Sequence, residues 1–294
     1  MPTSLKNVMK PENRKISKRP IKFGSFSRPT ASPSKTGPTA PAAGNDNRPE
    51  LLYGLHAVRE ALRGGRPLQR LVVQRTDRQF AEIIQQAKAR QIPVHVEPPQ
   101  AFERFVPGGN HQGVIAFVAA KAYSSTEDIL ESARGRGEPP FLVILDGVED
   151  PQNLGAIIRT AEAAGVHGVF VPERRAAGLT SVVAKISAGA LEHMLVARVV
   201  NLSRLIEDLK QSGLWIYAVE PSAPQEFTAI EMTGPIAFVF GGEGGGIRPG
   251  VAEKCDGLVR IPMRGKVESL NVSAAVGVTL FEGVRQRTQG KRAH

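Results

Sequence analysis

The chain has 294 residues, of which 41% are hydrophobic and 22% are charged, and this composition is typical of a globular protein with about two domains. No apolar run approaches the roughly 18–20 residues that a membrane-spanning helix needs. The single cysteine, Cys255, excludes an internal disulfide and any site built from several cysteines. We therefore expect a cytoplasmic protein without a membrane segment. We also expect no metal site, because no His, Asp or Glu set has metal-ligand spacing.

The net charge of +10 is concentrated at the amino terminus. Residues 1–50 hold ten Lys and Arg against three acidic residues, which leaves +7 in this segment. Residues 1–49 are also rich in Pro, Ser and Thr without apolar periodicity, so we expect a disordered basic tail. Such a tail suits a polyanion, and nucleic acid is the first candidate. A solubilising arm without a specific partner is an equally good interpretation.

Two segments of alternating strands and helices follow the tail. In residues 50–120, "LQRLVVQ", "IPVHVE" and "GVIAFVAA" predict strands, and "LLYGLHAVREAL" and "QFAEIIQQAKARQ" predict helices, which together indicate a small α/β domain. Residues 121–139 are typical of a linker. In residues 140–290 apolar strands alternate with helices, which predicts a parallel sheet covered on both faces. In such sheets a ligand normally sits beyond the carboxyl ends of the strands.

The stretch "DGVEDPQNLGAIIRTAEAAG" predicts a strand end followed by a helix. Asn153 is well placed to begin the helix and Gly165 to end it. Gly155, Arg159 and Glu162 share the face opposite the apolar stripe. Two interpretations remain open: a surface pair between Arg159 and Glu162, or an arginine aimed at a phosphate with Gly155 leaving room for it. Spacing alone favours the surface pair.

Two further loops are unusually polar or rich in glycine. In "AFVFGGEGGGIRPG" a strand runs into five glycines interrupted by Glu243, and the pattern matches neither a Walker loop nor the dinucleotide fingerprint. In "IPMRGKVESLNVSAAVGVTLFE" a helix begins among four polar residues, although one capping side chain is enough: Glu268, Ser269, Asn271 and Ser273. This inventory favours binding of a polar organic cofactor and positioning of a hydroxyl. It suits hydrolysis through a covalent intermediate poorly.

These three stretches closely resemble the three motifs of the SpoU (TrmH) family of RNA ribose 2′-O-methyltransferases, in that family's order. The resemblance covers residues 51–289, since "YGLHAVREAL" and "HQGVIAFV" are similar to the family's substrate-binding domain. It implies an α/β fold with two parts. The first is a small, L30e-like domain over residues 50–120 that binds RNA. The second is a SPOUT-type methyltransferase domain over residues 140–290, whose carboxy-terminal part threads a trefoil knot.

The resemblance also implies the cofactor, S-adenosylmethionine, and the roles of individual residues. The implied catalytic residues are Asn153, Arg159, Glu243, Ser269 and Asn271. The implied cofactor-binding residues, which act largely through the backbone, are Gly241, Gly242, Gly244, Ile261, Met263, Leu270 and Ser273. An arginine is a poor base because its pKa exceeds about 12. We therefore expect Arg159 to anchor a phosphate and to stabilise the developing alkoxide, with Glu243 orienting Arg159 and Asn153.

The resemblance further implies the partners. This domain pairing is similar to enzymes that modify a guanosine of 23S ribosomal RNA, so 23S rRNA or a large-subunit precursor is the expected substrate. The family forms homodimers, and the small residues Ala274, Ala275 and Gly277 would let two helices approach closely. Three alternatives remain open: methylation of tRNA, methylation of another rRNA site, and a non-catalytic RNA-binding assembly factor.

Overall fold

The protein is described by a computed structural model that covers residues 50–292. The prediction of a disordered tail concerns residues 1–49 and lies outside this range. Within it, no helix is long and apolar enough to cross a membrane.

The amino-terminal unit is a four-stranded sheet in the order β1-β4-β2-β3, with helices on both faces. Strand β4 runs antiparallel to both β1 and β2, and all of its residues are buried. The sequence pattern did not predict two elements of this unit. They are β1, which is only four residues long, and α3, a short helix that begins at a proline. The elements are β1 (Glu50–Tyr53), α1 (Leu55–Arg63), β2 (Leu68–Val73), α2 (Ala81–Ala89), β3 (Val94–Val96), α3 (Pro99–Phe105) and β4 (Val114–Val118).

Residues 121–139, expected to be a linker, contain the helix α4 (Thr126–Gly135). Ser125 and Asp128 begin this helix with a reciprocal capping box. Its apolar residues Ile129, Leu130 and Ala133 are buried, and Ile129 and Leu130 pack with strand residues of the carboxy-terminal unit. The sequence did not predict this helix, because its buried face has only three apolar residues in a polar segment. Three apolar residues are too few to show a helical periodicity.

The carboxy-terminal unit is a seven-stranded sheet in the order β7-β6-β5-β10-β8-β11-β9, and every pair in it is parallel. Its strands are β5 (Phe141–Asp146), β6 (Gly168–Pro172), β7 (Val196–Val199), β8 (Trp215–Val219), β9 (Gln225–Glu226), β10 (Ile236–Gly241) and β11 (Gly257–Arg260). Its helices are α5 (Pro151–Ala163), α6 (Ser181–Ile186), α7 (Leu202–Gln211), α8 (Pro249–Ala252) and α9 (Val272–Arg292).

Both faces of this sheet are buried, as predicted for a parallel sheet. Side chains along each strand alternate between the faces. In β5, Phe141, Val143 and Leu145 pack with α5 and α9, whereas Leu142 and Ile144 pack with α4, α7 and α8. The apolar runs of the sequence are therefore strands covered by a helical layer on each side.

The strand order brings four loops to one edge of the sheet. Strands β5, β10, β8 and β11 are consecutive neighbours, and Gly241 at the end of β10 lies opposite Asp146 at the end of β5. Val219 at the end of β8 is the neighbour of Phe240 on one side and of Val259 on the other. The loops that follow these strands therefore surround one crevice beyond the carboxyl ends.

A buried cluster of charges joins the two units. The guanidinium of Arg66, with its side chain only 6% exposed, contacts Glu192 at 2.8 Å and Glu50 at 3.0 Å. Lys121 adds a hydrogen bond of 3.1 Å from Nζ to the Glu192 carbonyl oxygen. Burial is the main cause that raises the pKa of Glu50 and lowers the pKa of Lys121. Glu192 belongs to the carboxy-terminal unit, so this cluster fixes the smaller sheet against the larger one.

Candidate active site

A cavity of about 550 Å³ lies at the carboxyl edge of the seven-stranded sheet. The loops after β8, β10 and β11 and the first turn of α9 form its walls. Its volume falls in the range of ordinary cofactor sites. Eight of the predicted site residues line it: Gly241, Gly242, Glu243, Ile261, Met263, Ser269, Leu270 and Asn271. Asn153, Arg159, Gly244 and Ser273 are not among the residues that line it.

Two glycines allow the loop after β10 to approach its neighbours closely. A Cβ atom on Gly242 would lie 1.8 Å from the carbonyl oxygen of Gly147, in the turn between β5 and α5. A Cβ on Gly241 would lie 2.1 Å from the carbonyl carbon of Gly246 within the same loop. Backbone cannot move away as the tip of a side chain can, so both positions require glycine. Gly244 has open space around it.

The segment between β11 and α9 has a free backbone. Residues 262–270 make no backbone hydrogen bond with any residue in the described range. Ile261, Met263 and Leu270 nevertheless line the cavity. Peptide groups need hydrogen-bonding partners, so this wall has donors and acceptors available to a ligand.

A chain of hydrogen bonds joins the three polar loops beside the cavity. Asn153 Nδ2 donates to Glu243 Oε1, and Asn271 Nδ2 donates to Asn153 Oδ1 at 3.0 Å. Asn271 Oδ1 in turn accepts from the backbone N–H of Ser273 at 2.9 Å and from its hydroxyl at 2.6 Å. Both amides are held in one orientation, because each uses its oxygen and its nitrogen. Glu243 is thereby fixed through one oxygen only.

Asn153 does not begin helix α5, contrary to the sequence-based expectation. Asp150 does so: its Oδ1 accepts from the N–H of Gln152 at 2.8 Å, and Pro151 occupies the first helical position. Aspartate caps as well as asparagine, and proline favours that first position, so the helix begins three residues earlier. This leaves the buried Asn153 side chain free to bond across to the other loops.

The polar residues at the start of α9 divide into two groups. Asn271 is the capping residue, since its side-chain oxygen accepts from Ser273 N–H while its amide group reaches Asn153. Ser273 supports Asn271. Ser269 and Glu268 line the cavity and make no hydrogen bond with the described part of the chain.

Arg159 lies apart from this cluster. It is exposed on α5 and has no ion pair with a described residue, neither with Glu162 nor with Glu243. Within the described residues of one chain, no hydrogen bond or ion pair joins Arg159 to Glu243, and the orientation of Arg159 by Glu243 stays a prediction. Gly155 does not leave room for a phosphate, because a Cβ there would lie 2.7 Å from the Cβ of Ile186. Its small size serves the packing of α5 on α6.

The sequence analysis did not predict that the loop after β8 belongs to the site. Val219, Glu220 and Pro221 line the cavity, although no motif marks them. The available signal was positional, because "LWIYAVEPS" is a predicted strand that ends in a polar turn at the ligand-binding edge. No cluster of three or more His, Cys, Asp or Glu suited to a metal ion occurs within residues 50–292.

Two protein-family models match the chain. The SpoU rRNA Methylase family matches residues 140–281, and the RNA 2′-O ribose methyltransferase substrate-binding family matches residues 51–124. YacO of Bacillus subtilis, named a TrmH family tRNA/rRNA methyltransferase, is 43% identical over 240 residues, which cover 81% of this chain and 96% of YacO. The chain belongs to the SpoU (TrmH) family. This membership confirms the resemblance and the expected enzyme class, an S-adenosylmethionine-dependent RNA methyltransferase.

Solved structures agree with this assignment. The AdoMet-bound rRNA methyltransferase from Sinorhizobium meliloti has a TM-score of 0.69 and 27% identity, over 82% of this chain and 88% of that one. An RNA 2′-O ribose methyltransferase has a TM-score of 0.66 and 25% identity, over 82% of this chain and 90% of that one. The predicted fold, a small α/β domain joined to a knotted SPOUT-type domain, is confirmed.

The cavity suits the family's cofactor. Its walls combine free peptide groups, apolar side chains and the carboxylates of Glu220, Glu243 and Glu268. Carboxylates favour a nearby positive charge, and S-adenosylmethionine has a sulfonium ion. The residues present therefore fit this SpoU-family cofactor in volume and in charge.

Proposed function

We propose that this SpoU-family enzyme methylates the ribose 2′-hydroxyl of a guanosine in 23S rRNA or in a large-subunit precursor. The observation that carries the proposal is the hydrogen-bonded chain from Glu243 through Asn153 to Asn271, beside a cofactor-sized cavity. The Sinorhizobium meliloti neighbour is an rRNA methyltransferase, which supports an rRNA substrate. The guanosine and the 23S assignment rest on the sequence resemblance alone.

The backbone near Gly241, Gly242, Ile261, Met263 and Leu270 would hold the cofactor, because these residues line the cavity. Bound S-adenosylmethionine supplies a methyl group on a sulfonium centre, which is already a good electrophile. Gly244 and Ser273 have indirect roles in this proposal. Gly244 belongs to the loop that carries Glu243, and Ser273 orients Asn271.

The protein's task is to align the ribose hydroxyl. Asn153 fixes one oxygen of the Glu243 carboxylate, so the other oxygen is left to accept a hydrogen bond from the 2′-hydroxyl. Asn271 keeps the Asn153 amide in the orientation that donates to Glu243. Ser269 lines the same cavity and adds a hydroxyl there. Such alignment lowers the barrier by about 7–11 kcal/mol in well-oriented reactions.

Arg159 has a separate role in this proposal, as an anchor for an RNA phosphate. It is an exposed guanidinium on α5 without an ion pair to a described residue, and its fork of donors matches phosphate oxygens. If it contributes mainly charge, Arg159→Lys should retain more RNA affinity than Arg159→Ala. A binding titration at several salt concentrations measures this, and equal losses in the two variants would contradict the charge role.

We also propose a homodimer, with α9 in the interface. Ala274, Val278 and Phe281 form an exposed stripe at helical spacing, and Val278 and Phe281 are 43% and 50% exposed. Of the three small residues expected there, only Ala274 faces outward. Ala275 lines the cavity, and a Cβ on Gly277 would lie 3.6 Å from Thr160 in the same chain. Phe281→Glu should therefore shift sedimentation equilibrium toward monomer, whereas Gln289→Glu, at another exposed position of α9, should not.

The test of the reaction is transfer of labelled methyl groups to separate pools of unmodified 23S rRNA, 16S rRNA and tRNA. We expect label in 23S rRNA, at a guanosine 2′-oxygen, and its loss in Glu243→Ala. Glu253→Ala, at an exposed position just after α8, is the control that should remain active. Label in 16S rRNA alone would overturn the 23S assignment.

Methylation of tRNA is the second candidate, because YacO is named a tRNA/rRNA methyltransferase. Label confined to the tRNA pool would select this candidate. Absence of label from every pool, by a protein that binds RNA but not S-adenosylmethionine in calorimetry, would instead favour an assembly factor.

A further inference from the structure

Asp146, the last residue of β5, is a buried carboxylate at the edge of the active site. Its side chain is 2% exposed, and no step of the proposed reaction uses it. Oδ2 accepts from the backbone N–H of Arg248 at 2.9 Å, and Oδ1 accepts from Arg248 Nε at 2.8 Å. A second guanidinium nitrogen of Arg248 lies 2.8 Å from Oδ1.

The same residue also holds the other end of the glycine-rich loop. The backbone N–H of Gly242 donates to the Asp146 carbonyl oxygen at 2.9 Å. The loop is closed within itself by a hydrogen bond of 3.1 Å from Gly246 N–H to the Gly242 carbonyl. Asp146 thus binds the loop where it leaves β10 and where it enters α8. Glu243 lies between these two points.

Stability alone is a weak explanation for such a pair. Burying a carboxylate costs desolvation free energy that the attraction to its partner only partly offsets. Well-packed apolar residues at such positions often stabilise a fold equally. What the pair does supply is a defined geometry for the loop, because a forked guanidinium on a carboxylate fixes distance and angle together. The loop in turn presents Glu243 to Asn153.

We infer that Asp146 and Arg248 are positioning residues for methyl transfer: they hold the loop so that Glu243 stays aligned with Asn153 and with the ribose hydroxyl. This inference rests on the proposed function. Neither Asp146 nor Arg248 is among the five expected catalytic residues. The inference makes the alignment of the site depend on this ion pair, and it makes the effect of Asp146 depend on Glu243.

Asp146→Asn keeps an oxygen for the Arg248 N–H but removes the charge and one acceptor. We expect it to lower the single-turnover rate of methyl transfer about 20-fold, since small misalignments have effects of this order. Arg248→Lys, which retains the charge without the fork, should lower the rate less than Arg248→Met.

The deciding experiment is a double-mutant cycle with Glu243→Gln. If Asp146 acts through Glu243, Asp146→Asn should lower the rate less than about 3-fold further in the Glu243→Gln protein, because contacting groups are not additive. An equal fold-loss in both backgrounds would overturn the inference. Arg248→Met, placed in the same cycle, decides the question if Asp146→Asn does not fold.

Asp256 offers a matched control at the opposite edge of the sheet. Its side chain is 8% exposed, accepts from Ile216 N–H at 2.9 Å and contacts Lys210 Nζ at 3.0 Å. Asp256→Asn should leave the methyl-transfer rate of the folded protein unchanged, even where its melting temperature falls. A rate loss like that of Asp146→Asn would show that any buried carboxylate of the sheet has this effect.

Failure of the inference is distinguishable from failure of the proposed function. A wild-type protein that transfers no methyl group to RNA contradicts the function. A wild-type protein that is active, but in which the two substitutions are additive, contradicts the positioning role alone. Calorimetric binding of S-adenosylmethionine to each variant gives a reading that does not depend on turnover.

Discussion

The two edges of the seven-stranded sheet use polar groups in opposite ways. At the carboxyl edge, Asn271 bonds to Asn153 and Asn153 bonds to Glu243, while residues 262–270 keep their peptide groups free. At the amino edge, polar side chains bond to the backbone. An edge whose polar side chains bond to the chain's own backbone contributes stability, and an edge with free peptide groups can bind a ligand.

Arg287 on α9 shows the pattern at the amino edge. Its guanidinium donates to four carbonyl oxygens and lies over the ring of Phe141, at 4.5 Å from the centroid. The carbonyls belong to Pro139, Pro140, Met232 and Gly234. Burial lowers the pKa of Arg287 to about 10, so the side chain still bears its charge at neutral pH. It ties the last helix to the starts of β5 and β10.

Of the substitutions that test the contrast between the two edges, Gly242→Ala at the carboxyl edge should have the largest effect. The added Cβ would lie 1.8 Å from the Gly147 carbonyl oxygen, so the loop must move. We expect methyl transfer to fall about 100-fold, because displacements near 1 Å have this effect on aligned reactants. Single-turnover assays measure it. Gly245→Ala in the same loop has open space and is the control, and equal losses in the two variants would contradict the close-approach argument.

The next effect should be on stability, at the amino edge. Arg287→Met leaves the carbonyls of Pro139, Met232 and Gly234 without this donor, whereas Pro140 keeps the N–H of Ile236, and we expect the free energy of unfolding to fall by about 3 kcal/mol. Denaturant titration measures the change. Arg285→Met, on the exposed face of the same helix, removes only surface contacts with Glu282 and Gln289, which solvent screens, and should lower the unfolding free energy far less than Arg287→Met. Similar losses for both variants would remove the contrast between the two edges.

The smallest effect should be a change in pH dependence at His167, also at the amino edge. The backbone N–H of Phe141 donates to His167 Nδ1 at 3.1 Å. Burial, followed by the charge of Arg136, lowers the pKa of His167 below its usual 6.5. Below pH 6.5, His167 therefore binds a proton in the unfolded chain that it does not bind in the folded chain until the pH reaches the lowered pKa. The contribution of His167 is fully present above pH 6.5, and it is lost as the pH falls through the lowered folded pKa.

His167→Asn removes this titration and keeps an oxygen for the Phe141 N–H. Below pH 6.5 the unfolding free energy of the variant should depend less on pH than that of the wild type, by at most about 1.4 kcal/mol per pH unit. Urea titrations between pH 7.5 and 5 (roughly one histidine's titration range) measure the slope. An unchanged slope in His167→Asn would contradict the assignment.

The local patterns of the chain were sufficient for the class of fold and for the three loops. Apolar runs of strand length alternate with amphipathic helices, and this periodicity alone predicts a parallel sheet with its ligand at the carboxyl edge. The motif residues in "DPQNLG", "GGEGGG" and "SLNVS" were visible because each lies within a few positions of a strand end or a helix start.

The partners of those residues depended on the strand order. Asn153 and Glu243 are 90 positions apart, Asp146 and Arg248 are 102 apart, and Arg66 and Glu192 are 126 apart. No periodicity extends over such distances. They meet because β5 and β10 are neighbours in the sheet and because α1 reaches the catalytic unit.

The same reason explains the wrong predictions. Asn153 as a helix cap and Gly155 as room for a phosphate were chemically sound readings of isolated residues. Asp150 caps the helix instead, and Ile186 of another helix fills the space beside Gly155. Local sequence determines which elements form. The neighbours that packing places around each side chain determine whether it supports the fold or remains available for a substrate.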